Sequence, residues 1–341
     1  MDKTLILGIE SSCDETAAAV LCGTNVLSNI IADQSLIHKY YGGVVPELAS
    51  RAHQQKIIPV VEEALRQANI TKNDLDAIAF TRGPGLMGAL LVGVSFSKAF
   101  ALGLKIPIIE VNHMQGHVLA HFIASKNVHT NLPSFPFLCL IVSGGHTQIV
   151  LVEDHLNMKI IGQTRDDAAG EAFDKSAKIL GIPYPGGPLI DKFAKDGDPK
   201  KFKFPLPQIE ALDFSFSGLK TSILYFIRDE MKKDNGFIQK NISDICASIQ
   251  YTIVKILMDK LKLAIKMTGI KEIAIAGGVS ANSELRSAVL SFKESDGCNV
   301  YIPPFEYCTD NAAMIGIVGY YKFRKKEFAG QDTVPLARMK F

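Results

Sequence analysis

The sequence predicts an α/β protein of two lobes, each opening on the same short motif. Three observations carry that expectation. The chain has 341 residues, 47% of them hydrophobic, which is enough to fill roughly two domain cores. Apolar strand-like runs alternate with stretches of helical periodicity through the first third. From Phe137 the pattern starts again with an apolar run, a small-residue bend and a second apolar run, echoing the opening of the chain. The halves share little identity, so the expected duplication is one of topology.

In order, Leu5 to Ile9 read as a strand and Ala17 to Leu21 as its hairpin partner, turning at Gly23-Thr24-Asn25. Pro46 suits a helix start, and Ile57, Val61, Ala64, Leu65 and Ala68 recur at helical spacing after it. Leu75 to Phe80 read as a buried strand. The loop Gly83-Pro84-Gly85 leads into an apolar helix over 87–102, ended by Gly103, and Ile106 to Val111 form another strand. In the second half, Phe137 to Val142 and Gln148 to Val152 are strands about the bend Ser143-Gly144-Gly145. Helices are expected over Gly170 to Leu180, Ser217 to Met231 and Ile242 to Met267. Glu272 to Ala276 run as a strand into Gly277-Gly278, a helix follows from Ala281, and Val300 to Pro303 precede a terminal helix.

Bulk composition excludes several classes. The apolar stretch around Met87 to Phe100 is broken by Gly88, Gly93, Ser95, Ser97 and Lys98, so no bilayer-spanning segment is expected. Only Met1 to Thr4 precede the first apolar run, too few for a secretory leader, which predicts a cytoplasmic protein. The six cysteines lie apart without a Cys-x-x-Cys pair, as expected of reduced thiols. The formal charge of +2 gives no warrant for nucleic-acid binding from composition alone. The runs Lys200-Lys201, Lys232-Lys233 and Arg324-Lys325-Lys326 could supply a local patch for such a partner, with solvated surface as the favoured reading.

Three loops follow apolar strands and carry small residues: Glu10 to Thr16, Ser143 to Thr147, and Gly277 to Asn282. Glycine lets a ligand approach the backbone, and amides at a bend or helix start attract phosphate oxygens, so three such loops suit a nucleotide. Neither a P-loop nor a Gly-x-Gly-x-x-Gly fingerprint is present. His113 and His117 stand one helical turn apart and can share a metal ion, although surface or core histidines are the alternative. Met114 occupies the position where a His-Glu-x-x-His protease needs its glutamate. Asp310 is the candidate third ligand, with a helix N-cap as its other reading; two histidines and a carboxylate suit Fe(II) or Zn(II). The acidic stretch from Asp166 and Asp167 to Lys175, before Pro185-Gly186-Gly187-Pro188, either holds ribose hydroxyls or marks a helix start.

Together these motifs resemble one family, the actin-like transferases that install threonylcarbamoyl on the adenosine beside the tRNA anticodon, the TsaD family. The resemblance rests on Gly8 to Thr16, Gly42-Gly43-Val44-Val45-Pro46-Glu47, the His113 and His117 pair, Val142 to Thr147, Asp167 to Lys175, Pro185 to Pro188, Phe214 to Lys220, Gly277 to Asn282 and Cys308 to Asn311, nearly the whole chain in one order. Ile141 and His146 stand where archaeal and eukaryotic relatives carry tyrosine and asparagine, so the chain resembles the bacterial branch.

The resemblance implies an actin-like fold of the actin, sugar-kinase and Hsp70 superfamily (ASKHA): two RNase H-like lobes with a nucleotide cleft between them. These would be 1–115, completed by a C-terminal helix over 318–341, and 116–317. It implies that His113, His117 and Asp310 bind a metal, and that Ile141, Val142, Ser143, Gly144, Gly145, Asp174, Gly187, Asp191 and Asn282 line the adenylate site. The implied substrate is threonylcarbamoyl-adenylate from a separate synthase, with ATP, ADP or AMP able to occupy the site. The implied acceptor is N6 of the adenosine 3′ of the anticodon in tRNAs reading ANN codons, the product AMP, and the partners TsaB and TsaE. No general base is assigned; Asp14, Glu15 and His146 are the candidates. A metalloprotease and an actin-like kinase or ATP-driven chaperone are the rival readings, and only the transferase and protease use the histidine pair.

Overall fold

The computed structural model describes residues 3–124, 132–207 and 209–341. The first half opens on β1 (Leu5–Glu10), β2 (Glu15–Cys22) and β3 (Asn25–Asp33). β1 and β2 pair antiparallel, Leu5 opposite Cys22 and Glu10 opposite Ala17, and β2 turns into β3 through Gly23 and Thr24. Gly23 takes φ +60, the left-handed conformation such a tight turn requires. A short helix α1 (Ser35–Lys39) leads to α2 (Pro46–Gln67), with Pro46 at its first position where a missing N–H costs nothing. There follow β4 (Ala77–Gly83), α3 (Met87–Leu104), β5 (Ile108–Asn112) and α4 (His113–Leu119). β4 and β5 add parallel to β1, giving the strand order β3-β2-β1-β4-β5.

The second half repeats this plan. β6 (Phe137–Val142), β7 (Thr147–Val152) and β8 (Met158–Gln163) open it, followed by α5 (Ala169–Ile179), α6 (Gly186–Ala194), α7 (Ser217–Lys233) and α8 (Phe237–Thr268). Then come β9 (Glu272–Ala276), α9 (Ser283–Leu290), α10 (Phe292–Ser295), β10 (Asn299–Tyr301) and the closing helix α11 (Ala313–Lys325). The sheet order is β10-β9-β6-β7-β8, the first order read from the other side, with β6–β7 antiparallel and β6–β9 and β9–β10 parallel. The outer strands β3 and β8 were not expected from sequence. Both are sheet edges of mixed polarity, Asn25 to Asp33 alternating only weakly, so neither shows a core run. α6 was also missed, because Gly186-Gly187-Pro188 reads as a turn until Asp174 caps it (below).

The chain divides into two compact units: Met1–Leu132 with Asp154–Met158 and Thr309–Phe341, and Pro133–Glu153 with Lys159–Cys308. The expected boundaries at 115 and 317 would cut α4 and α11 inside the helix, where a chain rarely changes domain. α11 lies on the first sheet so closely that a Cβ at Gly8 would stand 2.4 Å from Ala312 O. The segment after α11 straps the same sheet: Ala329 N donates to Ile108 O, Leu336 N to Arg82 O, and Gly85 N to Ala337 O. Helix α3 is long and apolar enough to cross a membrane by length and composition, and ends at Lys105 in a left-handed cap rather than at Gly103. It packs against α2 and β4 through one face, with Leu90, Val94, Ser97 and Ala101 buried, while Met87, Leu91 and Leu102 are exposed.

Candidate functional site

The strongest site is built where β5 hands over to α4. Asn112 caps that helix, its Oδ1 accepting from Met114 N at 2.9 Å and Gln115 N at 3.4 Å. Its amide nitrogen donates to Lys340 O at 3.1 Å, so the C-terminal strap holds the cap in turn. The i, i+4 spacing then puts His113 and His117 on one face, with ring centroids 4.8 Å apart and nearly perpendicular. Helix α11 presses against α4 at Gly116, where a Cβ would meet Met314 Cγ at 3.1 Å. Asp310 lies in the turn before α11 and places Oδ1 3.3 Å from His113 Nε2 and 3.2 Å from His117 Nε2. It does not cap the helix. That work falls to Asn311, whose Oδ1 accepts from Met314 N at 3.0 Å, leaving the Asp310 carboxylate on the histidines.

Ligand atoms of His113, His117 and Asp310 all lie within 4.8 Å of one another. Nδ1 of His117 is buried without a hydrogen-bond partner, and its Nε2 faces the Asp310 carboxylate at 3.2 Å. An orphaned buried nitrogen costs about 1–3 kcal/mol unless something accepts its lone pair, and a cation does. His113 is oriented from behind, with Nδ1 2.9 Å from Glu10 Oε2 and 3.2 Å from Ser12 Oγ. Glu10 also accepts from Thr81 Oγ1 at 2.6 Å and from Ser12 N. A carboxylate behind a histidine fixes its tautomer and raises its basicity, a recurrent outer shell of metal centres. Burial works to lower the His113 pKa, but Asp310 and Glu10 outweigh it and hold it well above the usual imidazole range. Burial works to raise those of Glu10 and Asp310, and His113 outweighs it and lowers both. In effect a proton sits where a cation fits, and the donor set suits Zn(II) or Fe(II).

In the loop Glu10 to Thr16, burial first and then Asp310, Asp14 and Glu10 lift the Glu15 carboxyl well above its usual range. Of the candidate bases, Asp14 and Glu15 stand in this loop. His146 belongs to the second unit, its amide donating to Ser143 Oγ at 3.1 Å in the β6–β7 turn.

The proposed adenylate residues all lie in that second unit. Ile141 and Val142 turn their side chains into the core, and their backbone pairs with β7. Beyond them Gly144 and Gly145 are exposed, and a Cβ at either meets nothing within 4 Å. Gly170 N donates to Ser143 O at 3.2 Å, fastening the turn to the start of α5. Asp174 Oδ1 accepts from Gly186 N at 2.8 Å and Gly187 N at 3.2 Å, so a carboxylate already occupies the amides that open α6. Burial nonetheless raises the Asp174 pKa. Asp191 accepts from Ser283 Oγ at 2.6 Å, while Asn282 caps α9 through Leu285 N at 2.9 Å and donates to Gln250 at 2.7 Å. Backbone open to an added Cβ is found at Gly144, Gly145 and Gly278.

Asp166 resolves toward its structural reading. Its carboxylate accepts from Ser215 Oγ, Ser217 Oγ, Phe216 N and Ser217 N, capping α7. Asp167 and Glu171 pair with Lys175 at 2.7 and 2.8 Å. The basic runs are likewise surface ion pairs, Lys201 with Asp244, Lys232 with Asp229, Lys233 with Glu230 and Lys325 with Asp154.

Residues 25–317 match the family described as TsaD, tRNA N6-adenosine threonylcarbamoyltransferase. A protein of that name from Christiangramia forsetii is 62% identical over 99% of both chains, and one from Moorella thermoacetica is 49% identical over 96% of this chain and 94% of its own. The chain belongs to the TsaD family. Like these TsaD relatives it is a transferase that modifies tRNA, and its fold is actin-like. The fold is shared with full-length HypF, solved in a phosphate- and nucleotide-bound form, at 14% identity and a TM-score of 0.62 over 96% of this chain and 47% of that one. It is shared too with component A of (R)-2-hydroxyglutaryl-CoA dehydratase from Acidaminococcus fermentans, at 17% identity and a TM-score of 0.52 over 94% and 98%. In this TsaD chain, sequence reasoning missed Glu10, Ser12 and Thr81 as the support of His113, and Lys340 as the support of Asn112. Only the Asn112 cap has a local signal, an asparagine directly before the first histidine.

Proposed function

We propose that this transferase takes threonylcarbamoyl-adenylate as donor and passes the threonylcarbamoyl group to N6 of the adenosine 3′ of the anticodon in tRNAs reading ANN codons, releasing AMP. His113, His117 and Asp310 hold one divalent cation, Fe(II) or Zn(II), with Glu10 fixing His113. The observation that carries the reading is the convergence of ligand atoms of His113, His117 and Asp310 within 4.8 Å of one another. When bound, such an ion supplies Lewis-acid polarisation and orientation of the threonylcarbamoyl group.

The chain's own groups do the rest. The open turn at Ser143, Gly144 and Gly145 receives the phosphate of the adenylate and steadies charge on it as AMP departs. Asp174, Gly187, Asp191 and Asn282 form the rigid rim that meets the ribose and base, so ATP, ADP or AMP fit the same place. The exocyclic amine of adenine is a poor nucleophile because its lone pair is shared with the ring. Asp14, Glu15 and His146 are the candidates of this set for taking its proton. The donor comes from a separate synthase, TsaB and TsaE are the partners, and the reaction is cytoplasmic.

The test mixes the chain and its partners with threonylcarbamoyl-adenylate and unmodified tRNA and measures modified nucleoside by mass spectrometry, with metal content read by elemental analysis. Modified nucleoside that disappears in His117→Ala together with the metal supports the reading. Peptide cleavage, or ATP-dependent phosphorylation of a small substrate without need of the histidines, would move the chain to its rival classes.

A further inference from the structure

The segment 34–45, between β3 and α2, is amphipathic the wrong way round. Two of its polar side chains are inside: His38 and Gln34 are buried. Its apolar ones face out, with Leu36 77%, Tyr40 91% and Tyr41 65% exposed. Burying histidine while exposing leucine and two tyrosines costs stability, and an exposed apolar cluster of this kind marks an interaction surface.

What holds the segment inside out is a directional hydrogen-bond chain. Val45 N donates to His38 Nδ1 at 3.3 Å, which leaves the His38 proton on Nε2, 3.4 Å from Gln34 Oε1. Gln34 Nε2 donates to Thr16 Oγ1 at 3.4 Å; Thr16 meets His53 Nδ1 at 2.7 Å, and His53 Nε2 meets Cys13 O at 3.0 Å. Gln34 N also donates to Asp14 O at 3.1 Å. The chain therefore ends on the loop whose Ser12 Oγ lies 3.2 Å from His113 Nδ1. A rigid polar root in the His113 loop carries an outward pair of aromatic rings.

We propose that Tyr40 and Tyr41 form a stacking platform for an unpaired base of the RNA substrate beside its target adenosine. Sequence-specific RNA recognition uses splayed single-stranded bases stacked on aromatic side chains, and the anticodon loop offers such bases. Lys39 precedes the two tyrosines and is exposed, and 34–45 itself holds no acidic residue; the flanking Asp33 and Glu47 carboxylates are taken up by Ser35 and Arg51. The rooting in the His113 loop favours the substrate over a protein chain, since the reacting base must reach that centre. This deepens the transfer reaction and rests on the proposed site for its location only.

The test uses the full chain with an anticodon stem-loop carrying 2-aminopurine next to the target adenosine. Stacking quenches the fluorophore. Tyr40→Ala and Tyr41→Ala are expected to abolish the quenching and raise Kd and KM for RNA roughly 5- to 150-fold each, the range of one lost base stack. Tyr40→Phe and Tyr41→Phe should restore both, because the ring and not the hydroxyl stacks. Cobalt(II) absorbance titrations should be unchanged in all four variants. Unchanged RNA affinity in the alanine variants overturns the proposal, as does phenylalanine failing where alanine fails. Loss of association with a partner protein at constant RNA affinity also overturns it, by making the segment a protein-docking face. Failure of cobalt to bind the unaltered chain would sink the cation site and leave the quenching result standing.

Discussion

The turns that follow β1 and β6 occupy the same place in two sheets of the same strand order, yet their chemistry is opposite. After β1 the chain buries Glu10, gathers Asp14 and Glu15, and closes its polar atoms on His113, Thr81 and His53. After β6 it exposes two glycines at which an added Cβ would meet nothing within 4 Å. One turn is packed and rich in carboxylates, as the proposed cation site needs; the other exposes its backbone, as the proposed phosphate site needs. Duplicated topology thus supplies two equivalent platforms, and the side chains of a handful of loop residues decide what each binds.

Removing charge from the first turn's centre gives the largest break in that contrast. His117→Ala or Asp310→Asn is expected to lower metal affinity and transfer roughly 100-fold or more, and Glu10→Gln roughly 10- to 100-fold through His113, read by cobalt(II) titration. The same centre should be pH-sensitive in a fixed direction. A cation must displace the proton that Asp310 and Glu10 keep on His113, so metal affinity rises with pH and binding releases a proton, seen by calorimetry in buffers of different ionisation enthalpy.

For the cation-free chain the linkage runs both ways. The raised His113 contributes stability that is complete below about 6.5 and lost as pH rises through its raised value. The lowered Glu10 and Asp310 contribute stability present above about 4.5 and lost as pH falls through their lowered values. Denaturant melts from acid to alkaline pH should show both slopes, and excess zinc should flatten the alkaline one.

The second turn is sharpened by a pair of glycine substitutions. Gly170→Ala drives a Cβ to 2.5 Å from Ser143 O and should destabilise by about 1–3 kcal/mol. Gly144→Ala meets open space, so Tm should hardly move while adenylate affinity falls if the turn receives the phosphate. Equal Tm losses in the two variants would show that the turn is packed and not open. The smallest effect belongs to a cap away from both turns: Asp166→Ala should cost about 1 kcal/mol through α7, measurable as a Tm shift with unchanged metal binding.

Central strands and long helices were legible because their residues are buried on a regular period. Leu5 to Ile9, Phe137 to Val142 and Glu272 to Ala276 all fall where expected. The edge strands β3 and β8 were not, since half-exposed residues carry no core signal. Helix α6 was hidden for another reason: its start depends on Asp174, a residue distant in sequence.

By itself the sequence determined the alternation of strands and helices, the family, and the local chemistry of His113 and His117, which spacing along a helix places on one face. Only the tertiary structure decided that Asp310 faces those rings while Asn311 caps the helix, that Glu10 backs His113, that Asp166 caps a helix, and that 34–45 turns its tyrosines outward. The reason is physical. Periodicity reports the burial of a residue against its neighbours in sequence, whereas a buried polar atom is satisfied by whichever partner the fold brings within about 3 Å, and that partner is written elsewhere in the chain.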